Sequence, residues 1–180
     1  MTSRIPTINP DSAQEKAKVL LDSVKSKMGM IPNIVKALAN SPAALSGYLS
    51  MSSELSQGTF PPQLREQIAL TVAQANGCDY CLAAHSAVGK MIGLSDTQIV
   101  DSRRGTAVDS RAGAVLSLAR QVVGQRGWVT DDDLAEARRA GLDDEAITEV
   151  LANVALNMFT NYFNHVANTD IDFPKAAATV

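Results

Sequence analysis

Basic charge, aromatic residues and cysteine are all scarce in this 180-residue sequence, and the first two scarcities exclude a class of partner. There are 16 lysines and arginines against 19 aspartates and glutamates, so the net charge is −3. Aromatic residues make up only 4% of the chain, and no basic run is longer than two residues. The sequence offers no electrostatic footprint for nucleic acid, and we therefore expect no nucleic-acid partner.

A long apolar stretch is also missing, which argues against a membrane protein. The longest candidate, 150–163, is interrupted by Asn153, Asn157 and Asn161, and it falls short of the roughly 18 apolar residues that a bilayer span needs. The N-terminal residues form no apolar signal segment. We therefore expect a cytoplasmic protein without a membrane partner, in a reducing compartment where cysteines stay as thiols.

Helix-starting and helix-ending residues are abundant, and no stretch alternates between apolar and polar residues as a strand would. We predict an all-α fold in one domain spanning 1–180, with N-terminal helices in 1–60 and a cysteine-containing core in 61–105. The predicted helices cover about 11–27, a short segment from 32, 42 toward 58, 62–75, 78–91, a short segment from 96, 110–125, 130–140 and 143–166.

The two cysteines form the motif Cys78-Asp79-Tyr80-Cys81 at the start of one predicted helix. At about 100° per residue, Cys78, Cys81 and His85 share a face of that helix. The helix N-terminus favours a thiolate at Cys78, whereas His85 lies one turn beyond Cys81 and is placed to take its proton. The residues alone leave open which thiol attacks a substrate. Either oxidised sulfur could be resolved by the other as a disulfide.

Glu66 lies on the preceding predicted helix and is the candidate base. Apolar residues at its i+3, i+4 and i+7 positions predict that its carboxylate turns inward. Burial would raise the pKa of the carboxyl group and would require a partner for its charge. His85 is the expected partner, which gives a chain of carboxylate, imidazole and thiol.

Glu66, the Cys-x-x-Cys pair and His85 on successive helices resemble the alkylhydroperoxidase D-like branch of the carboxymuconolactone decarboxylase superfamily. The flanking sequences agree with the peroxidase-related members of that branch, at 30–33, 40–42, 62–66 and 164–174. The resemblance covers nearly the whole chain. It is more specific than a bare Cys-x-x-Cys motif because it includes the upstream glutamate and the downstream histidine.

The resemblance implies a bundle of helical hairpins, obligate homo-oligomers (trimers or hexamers), no cofactor, and reduction of peroxide or organic hydroperoxides. By position it implies that Cys81 is the peroxidatic thiol, Cys78 the resolving thiol, His85 the proton relay and Glu66 the base. An external dithiol or protein reductant would restore the thiols. Tyr80 is a departure, because the best-known members have a histidine there, so a second imidazole is absent.

Other interpretations of the same residues stay open. The cysteines could be ordinary core residues, or could bind zinc with His85 and a fourth ligand, although three ligands would crowd one helix, and we expect no metal. A non-enzymatic redox sensor would oxidise once without turnover. A lactone-acid decarboxylase would need a cationic pocket, and that branch generally lacks the cysteine pair. The sequence thus favours a thiol-dependent peroxidase.

Overall fold

The structure is a computed structural model that describes residues 3–176. Within that range the chain forms a short 3-10 helix, Pro10–Ser12, and nine α-helices, with no strand. The α-helices are α1 (Glu15–Met28), α2 (Asn33–Leu38), α3 (Pro42–Leu55), α4 (Pro62–Asn76), α5 (Asp79–Met91), α6 (Asp96–Arg104), α7 (Ser110–Gly124), α8 (Asp131–Arg139) and α9 (Asp144–Ala167). The predicted all-α fold is confirmed.

Most helix boundaries fall close to the predicted ones, and side chains that cap the helices set several of them. Ser95 and Thr130 cap α6 and α8 through capping boxes, in which the side chain of the third helical residue bonds back to the cap. Ser41 caps α3, whose first residue is Pro42, a position where proline's missing N–H costs no hydrogen bond. Local side-chain chemistry therefore sets these ends, and the sequence displays it directly.

The first helix begins later than predicted. The sequence predicted a helix from about residue 11, but α1 starts at Glu15, and the backbone is extended at Ala13. The reason is the side chain of Asn9, whose Oδ1 accepts a hydrogen bond from the backbone N–H of Asp11 at 3.0 Å. Asn9 thereby caps a separate 3-10 turn, and Asp11 lies inside that turn.

The helix α4 lies at the centre of the fold and packs against α5, α6, α7 and α9. One apolar cluster joins residues of α1, α2 and α3 to α5, and a second joins α4 to α7, α8 and α9. The first cluster includes Leu21, Leu38 and Leu45 together with both cysteines. The Cys-x-x-Cys motif is therefore built into packed protein and not onto the surface.

The helix α9 is the longest helix, with 24 residues, and its two sides differ in character. Its buried side, the inner face, contains four asparagines: Asn153, Asn157, Asn161 and Asn164. Its exposed side, the outer face, contains four large apolar residues: Leu151, Phe159, Tyr162 and Val166. Neither α9 nor another helix in the described part of the chain is long and apolar enough to span a membrane.

Candidate active site

A tight turn between α4 and α5 positions the two cysteines. Gly77 ends α4 in the left-handed conformation at φ 65°, which glycine adopts without strain. Cys78 follows as the N-cap of α5. The sequence predicted that this helix begins at Cys78, and in the structure it begins one residue later, at Asp79. Its sulfur accepts a hydrogen bond from the backbone N–H of Cys81 at 3.4 Å. The free N–H groups of a helix N-terminus thus favour negative charge on Cys78.

The two thiols are reduced and close to each other. Cys78 and Cys81 are 1% and 2% exposed, and neither is in a disulfide. A hydrogen bond joins their Sγ atoms at 2.7 Å. The pair is therefore within reach of disulfide formation, as the spacing of the motif predicted.

The surroundings shift the pKa values of the two thiols in opposite directions. The hydrogen bond with Cys81 lowers the pKa of Cys78, and this effect, with smaller ones from the Cys81 N–H and the charge of His85, outweighs burial. The same sulfur contact, followed by burial, raises the pKa of Cys81 well above its usual range. When the pair loses a proton, these shifts favour negative charge on Cys78 over Cys81.

Glu66 and His85 meet as the sequence predicted. Glu66 Oε2 lies 2.8 Å from His85 Nδ1, and the two side chains are 20% and 25% exposed. Burial alone would lower the pKa of His85, but the attraction and the hydrogen bond from Glu66 outweigh it, so the pKa is raised. The imidazole is thereby held in its charged form over a wider pH range.

The predicted contact between His85 and the thiols is looser than the helical spacing suggested. Among the described residues, the imidazole of His85 makes a hydrogen bond to Glu66 and none to either sulfur. The reason is that α4 presents Glu66 to Nδ1 and turns the ring toward that helix. His85 still acts on Cys78 through its charge. The positive imidazole lowers the pKa of Cys78, and the negative sulfur raises the pKa of His85.

A cavity of about 250 Å³ brings Cys81, His85 and Glu66 together. Cys78 is not among its lining residues, so Cys81 is the sulfur that a ligand in the cavity reaches. Most of the remaining wall is apolar and comes from α1, α2, α5 and the C-terminal segment: Met28, Pro32, Ile34, Val35, Ala84, Val88 and Phe173. The arrangement suits an uncharged, largely apolar molecule with one reactive end.

Two side chains at this cavity were missed by the sequence interpretation. Asn164 on α9 donates a hydrogen bond from Nδ2 to Cys81 Sγ at 3.2 Å. Tyr48 on α3 also lines the cavity, and burial, followed by the negative charge of Glu66, raises its pKa to about 12. The recurring asparagines in an otherwise apolar helix were a signal for Asn164, whereas the sequence held no signal for Tyr48.

Tyr80 occupies the position where the resemblance implies a histidine, and its contacts differ from those expected of a proton relay. Its hydroxyl donates to Asp172 Oδ1 at 2.7 Å and accepts from the backbone N–H of Ile34 at 3.2 Å. Its ring packs edge-to-face on Phe173, and burial raises its pKa. Because the hydroxyl faces the C-terminal segment and not the sulfurs, Tyr80 fastens that segment over the cavity and is not a proton relay.

The zinc interpretation finds no donor set in this structure. Across residues 3–176, the His, Cys, Asp and Glu side chains form no group of three that could hold a metal ion. The imidazole is turned to Glu66, which leaves the two sulfurs without a third ligand.

A family model matches the central part of the chain. Residues 42–124, which include Glu66, both cysteines and His85, match the model of the carboxymuconolactone decarboxylase family. The resemblance seen in the sequence is confirmed over these residues. A comparison with curated protein sequences finds no match.

Solved structures share the fold over nearly the whole chain. An alkylhydroperoxidase AhpD core, an uncharacterized peroxidase-related protein from Ralstonia eutropha JMP134, is 23% identical, with a TM-score of 0.82 over 94% of this chain and 92% of that chain. A peroxidase-related protein from Silicibacter sp. TM1040 is 22% identical, with a TM-score of 0.80 over 93% and 89%. The debrominase Bmp8 is 18% identical, with a TM-score of 0.81 over 96% and 94%. These similarities show that the fold is AhpD-like.

Proposed function

We propose that this protein is a thiol-dependent peroxidase that reduces hydroperoxides through Cys78 and Cys81. The observation that supports it most is the position of the sulfur pair. The two reduced sulfurs lie 2.7 Å apart, and one of them faces a cavity that also contains the Glu66–His85 pair. In this proposal Cys81 is the nucleophile and His85 the proton donor at the cavity, and Cys78, in contact with Cys81 but outside the cavity lining, is the resolving thiol.

In the first half of the reaction, Cys81 attacks the hydroperoxide. The proton on Cys81 moves to Cys78 across the 2.7 Å contact, which transfers the negative charge to the sulfur that faces the cavity. The Cys81 thiolate then attacks the terminal oxygen, so that an S–O bond forms and the O–O bond breaks. The sulfur is oxidised by two electrons to a sulfenic acid. The alkoxide that leaves takes a proton from His85 and becomes an alcohol.

In the second half, Cys78 attacks the sulfenic sulfur of Cys81. The S–S bond forms, the S–O bond breaks, and the hydroxide leaves as water with the proton that Cys78 had accepted. His85 regains its proton from solvent, and Glu66 holds the ring by Nδ1 and stabilises its charge throughout. An external dithiol or a reduced protein partner then returns the disulfide to two thiols. We propose no cofactor for this cycle.

Steady-state turnover tests this function against the alternative of a redox sensor. Purified protein is mixed with an organic hydroperoxide and an excess of a small dithiol, and peroxide consumption is followed over many protein equivalents. Continuous consumption at a constant rate supports the enzyme, because the disulfide is reduced and used again. Consumption that stops after one equivalent would contradict it and favour a sensor.

A second candidate, reductive dehalogenation, is favoured by the same thiol pair and by one comparison. A cysteine-to-alanine variant of the debrominase Bmp8 has been solved with 2,3,4-tribromopyrrole, at a TM-score of 0.81 and 17% identity to this chain. Two thiols supply the two electrons that replace bromine by hydrogen, giving a disulfide and bromide. Bromide release from tribromopyrrole in the presence of a dithiol would support this candidate, and its absence would contradict it.

The decarboxylase alternative receives less support from the cavity. The substrate of that reaction is a carboxylate, which requires a cation nearby. The residues that line the cavity, all within the described part of the chain, include Glu66 and His85 but no lysine or arginine. His85 is already paired with Glu66. Failure to release carbon dioxide from a muconolactone is therefore the expected result.

A further inference from the structure

Two buried carboxamides on the inner face of α9 approach Cys81. Asn164 is 5% exposed and Asn161 is fully buried. Asn164 Nδ2 donates to Cys81 Sγ at 3.2 Å. Asn161 Oδ1 accepts a hydrogen bond at 2.9 Å from Nδ2 of Asn76, the last residue of α4. The hydrogen bond from Asn76 fixes the orientation of the Asn161 carboxamide, so that its nitrogen points away from Asn76 and is available to donate to another group.

One donor and one acceptor of this pair have no partner among the described residues. These are Asn161 Nδ2 and Asn164 Oδ1, and both are buried. Buried polar atoms without a partner are rare because each loses its hydrogen bonds to water on folding. The group that would satisfy both must accept one hydrogen bond and donate another. A sulfenic acid does so, since its oxygen accepts and its hydroxyl donates.

We propose that Asn161 and Asn164 bind Cys81 in two successive states, first as the thiolate and then as the sulfenic acid. This inference rests on the proposed peroxidase function and adds residues to it. Asn164 touches the reacting sulfur and is a catalytic residue, whereas Asn161 is held in position by Asn76.

The first state follows from the hydrogen bond that Asn164 already donates to Cys81. Asn164, and after it Asn161, lower the pKa of Cys81 against the larger opposing effects of Cys78 and burial, although Asn161 Nδ2 makes no hydrogen bond of normal geometry in this state. A hydrogen bond to a charged acceptor is stronger than one to a neutral acceptor, so these contacts strengthen when the charge moves onto Cys81. Asn164 also lowers the pKa of Cys78, but its hydrogen bond at 3.2 Å is to Cys81, so the carboxamides favour the state in which the charge lies on Cys81.

The second state protects the intermediate. When the S–O bond has formed, the new oxygen can accept from Asn161 Nδ2 while its hydroxyl donates to Asn164 Oδ1. A sulfenic acid held in this way is slower to attack a second hydroperoxide, a reaction that would convert it to a sulfinic acid and the hydroperoxide to an alcohol. The intermediate then persists until Cys78 reacts with it.

The first experiment measures the thiolate without any peroxide. Cys78→Ser leaves Cys81 as the only thiol in the chain, and its rate of alkylation by iodoacetamide is followed against pH. Adding Asn164→Leu removes the donor at similar volume, and adding Asn164→Asp replaces it with a carboxylate. Compared with Cys78→Ser alone, we expect the pH midpoint of the alkylation rate of Cys81 to rise by about one pH unit when Asn164→Leu is added. We expect a larger rise with Asn164→Asp.

Several ionisable groups surround the two sulfurs and are unchanged in these variants. They are Tyr48 on α3, Glu66 on α4, Tyr80 and His85 on α5, and Asp172 in the C-terminal segment. The comparison between leucine and aspartate at one position separates the effect of the carboxamide from theirs. The control is Asn153→Leu, a buried asparagine of the inner face that donates to the backbone oxygen of Glu149.

The second experiment measures the sulfenic acid. The Cys78→Ser protein is treated with an excess of an organic hydroperoxide, trapped with dimedone after increasing delays, and analysed by mass spectrometry. We expect Asn164→Leu to shorten the life of the sulfenic acid and to increase sulfinic acid several-fold relative to Asn153→Leu. Circular dichroism and thermal melting establish that each variant is folded.

The outcomes separate this inference from the proposed function. If folded Asn164→Leu and Asn153→Leu proteins have the same alkylation midpoint and the same sulfenic acid lifetime, the inference is wrong, whether or not the native protein turns over peroxide. If the midpoint rises but no dimedone adduct forms on Cys81, the thiolate contact is supported. In that case the peroxidase mechanism and the sulfenic acid state are both contradicted.

Discussion

Glu66 Oε2 lies 2.8 Å from Nδ1 of His85, a residue 19 positions later on the next helix. Through this contact Glu66 affects both His85 and Cys78. The carboxylate stabilises the charged imidazole, and the charged imidazole lowers the pKa of Cys78. The sulfur of Cys81, which faces the cavity, is held protonated by the same arrangement. In the proposed cycle, negative charge on Cys78 reaches Cys81 by one proton transfer across the 2.7 Å contact between the two sulfurs.

The pKa of His85 is the first testable consequence. In Glu66→Gln the attraction and the charged hydrogen bond are lost, while burial, which lowers the pKa, remains. We therefore expect the pKa of His85 to fall from its raised value to below the ordinary 6.5. NMR titration measures this directly, since the chain has only two histidines and His165 provides the second signal.

The same pair makes stability depend on pH in a defined direction. A folded-state pKa above the unfolded value of 6.5 adds stability that is complete below 6.5 and is lost as pH rises through the folded pKa. Glu66→Gln should remove this loss from urea unfolding curves recorded between about pH 6 and 8. Glu54→Gln, on the exposed surface of α3, is the control. An unchanged His85 titration in Glu66→Gln would show that the contact is absent in solution.

The sequence predicted the contact between the two cysteines and the one between Glu66 and His85, but not the contacts from distant parts of the chain. Glu66 and His85 were paired because each helix shows one inward face and a short turn joins them. Asn164 lies 83 positions from Cys81, and helical periodicity relates no two residues that far apart. The same holds for Tyr48, which reaches the cavity by the packing of α3.

The C-terminal segment could not be placed from its residues for a similar reason. Asp172 bonds to Tyr80, 92 positions earlier, and to the backbone N–H of Asn33. The sequence showed that position 80 differs from the family pattern, yet it could not show where the hydroxyl points. The departure predicted the loss of an imidazole, and the structure adds the contact that the tyrosine makes instead.

The two cysteines should differ in the consequence of their loss. Cys81→Ser removes the sulfur that faces the cavity, so we expect no peroxide turnover and no dimedone adduct. Cys78→Ser keeps the sulfur of Cys81 but removes its proton acceptor and the resolving thiol. We therefore expect slow oxidation that stops after one hydroperoxide, at a sulfenic acid, or after two, at a sulfinic acid. Peroxide consumption and mass spectrometry of both variants check this. Full turnover by Cys81→Ser would refute the assignment.

Tyr80→Phe tests how the C-terminal segment covers the site. The change removes a buried hydroxyl that donates to Asp172 and accepts from the N–H of Ile34. We expect the free energy of unfolding to fall by about 1 to 3 kcal/mol, because two polar partners lose their hydrogen bond. We also expect faster alkylation of Cys81 at constant pH, since the segment closes the cavity less often.

The matched control for this change is Tyr162→Phe. Tyr162 lies on the outer face of α9, 53% exposed within one chain, and phenylalanine keeps the apolar ring there while it removes the hydroxyl. Urea unfolding and iodoacetamide rates should be close to those of the native protein. If Tyr80→Phe alters neither quantity, the segment is not fastened by this hydroxyl.

The outer face of α9 leads to a prediction about assembly. Four large apolar side chains of this helix lie between 42% and 62% exposed along one side, which is unusual for a surface that stays in water: Leu151, Phe159, Tyr162 and Val166. We expect this face to pack against other copies of the chain, in a trimer or hexamer. Light scattering coupled to size exclusion should give three or six times the mass of one chain.

The double variant Phe159→Glu with Tyr162→Glu should shift that mass toward a single chain, because burying two carboxylates without partners is costly. Val19→Glu with Val108→Glu adds the same charge at exposed apolar residues outside α9, 69% and 98% exposed, and should leave the mass unchanged. A native mass equal to one chain, or equal loss of assembly in both double variants, would show that α9 does not form the interface. Because the inner face of the same helix holds Asn164 against Cys81, a loss of turnover in the α9 variant alone would link assembly to the site.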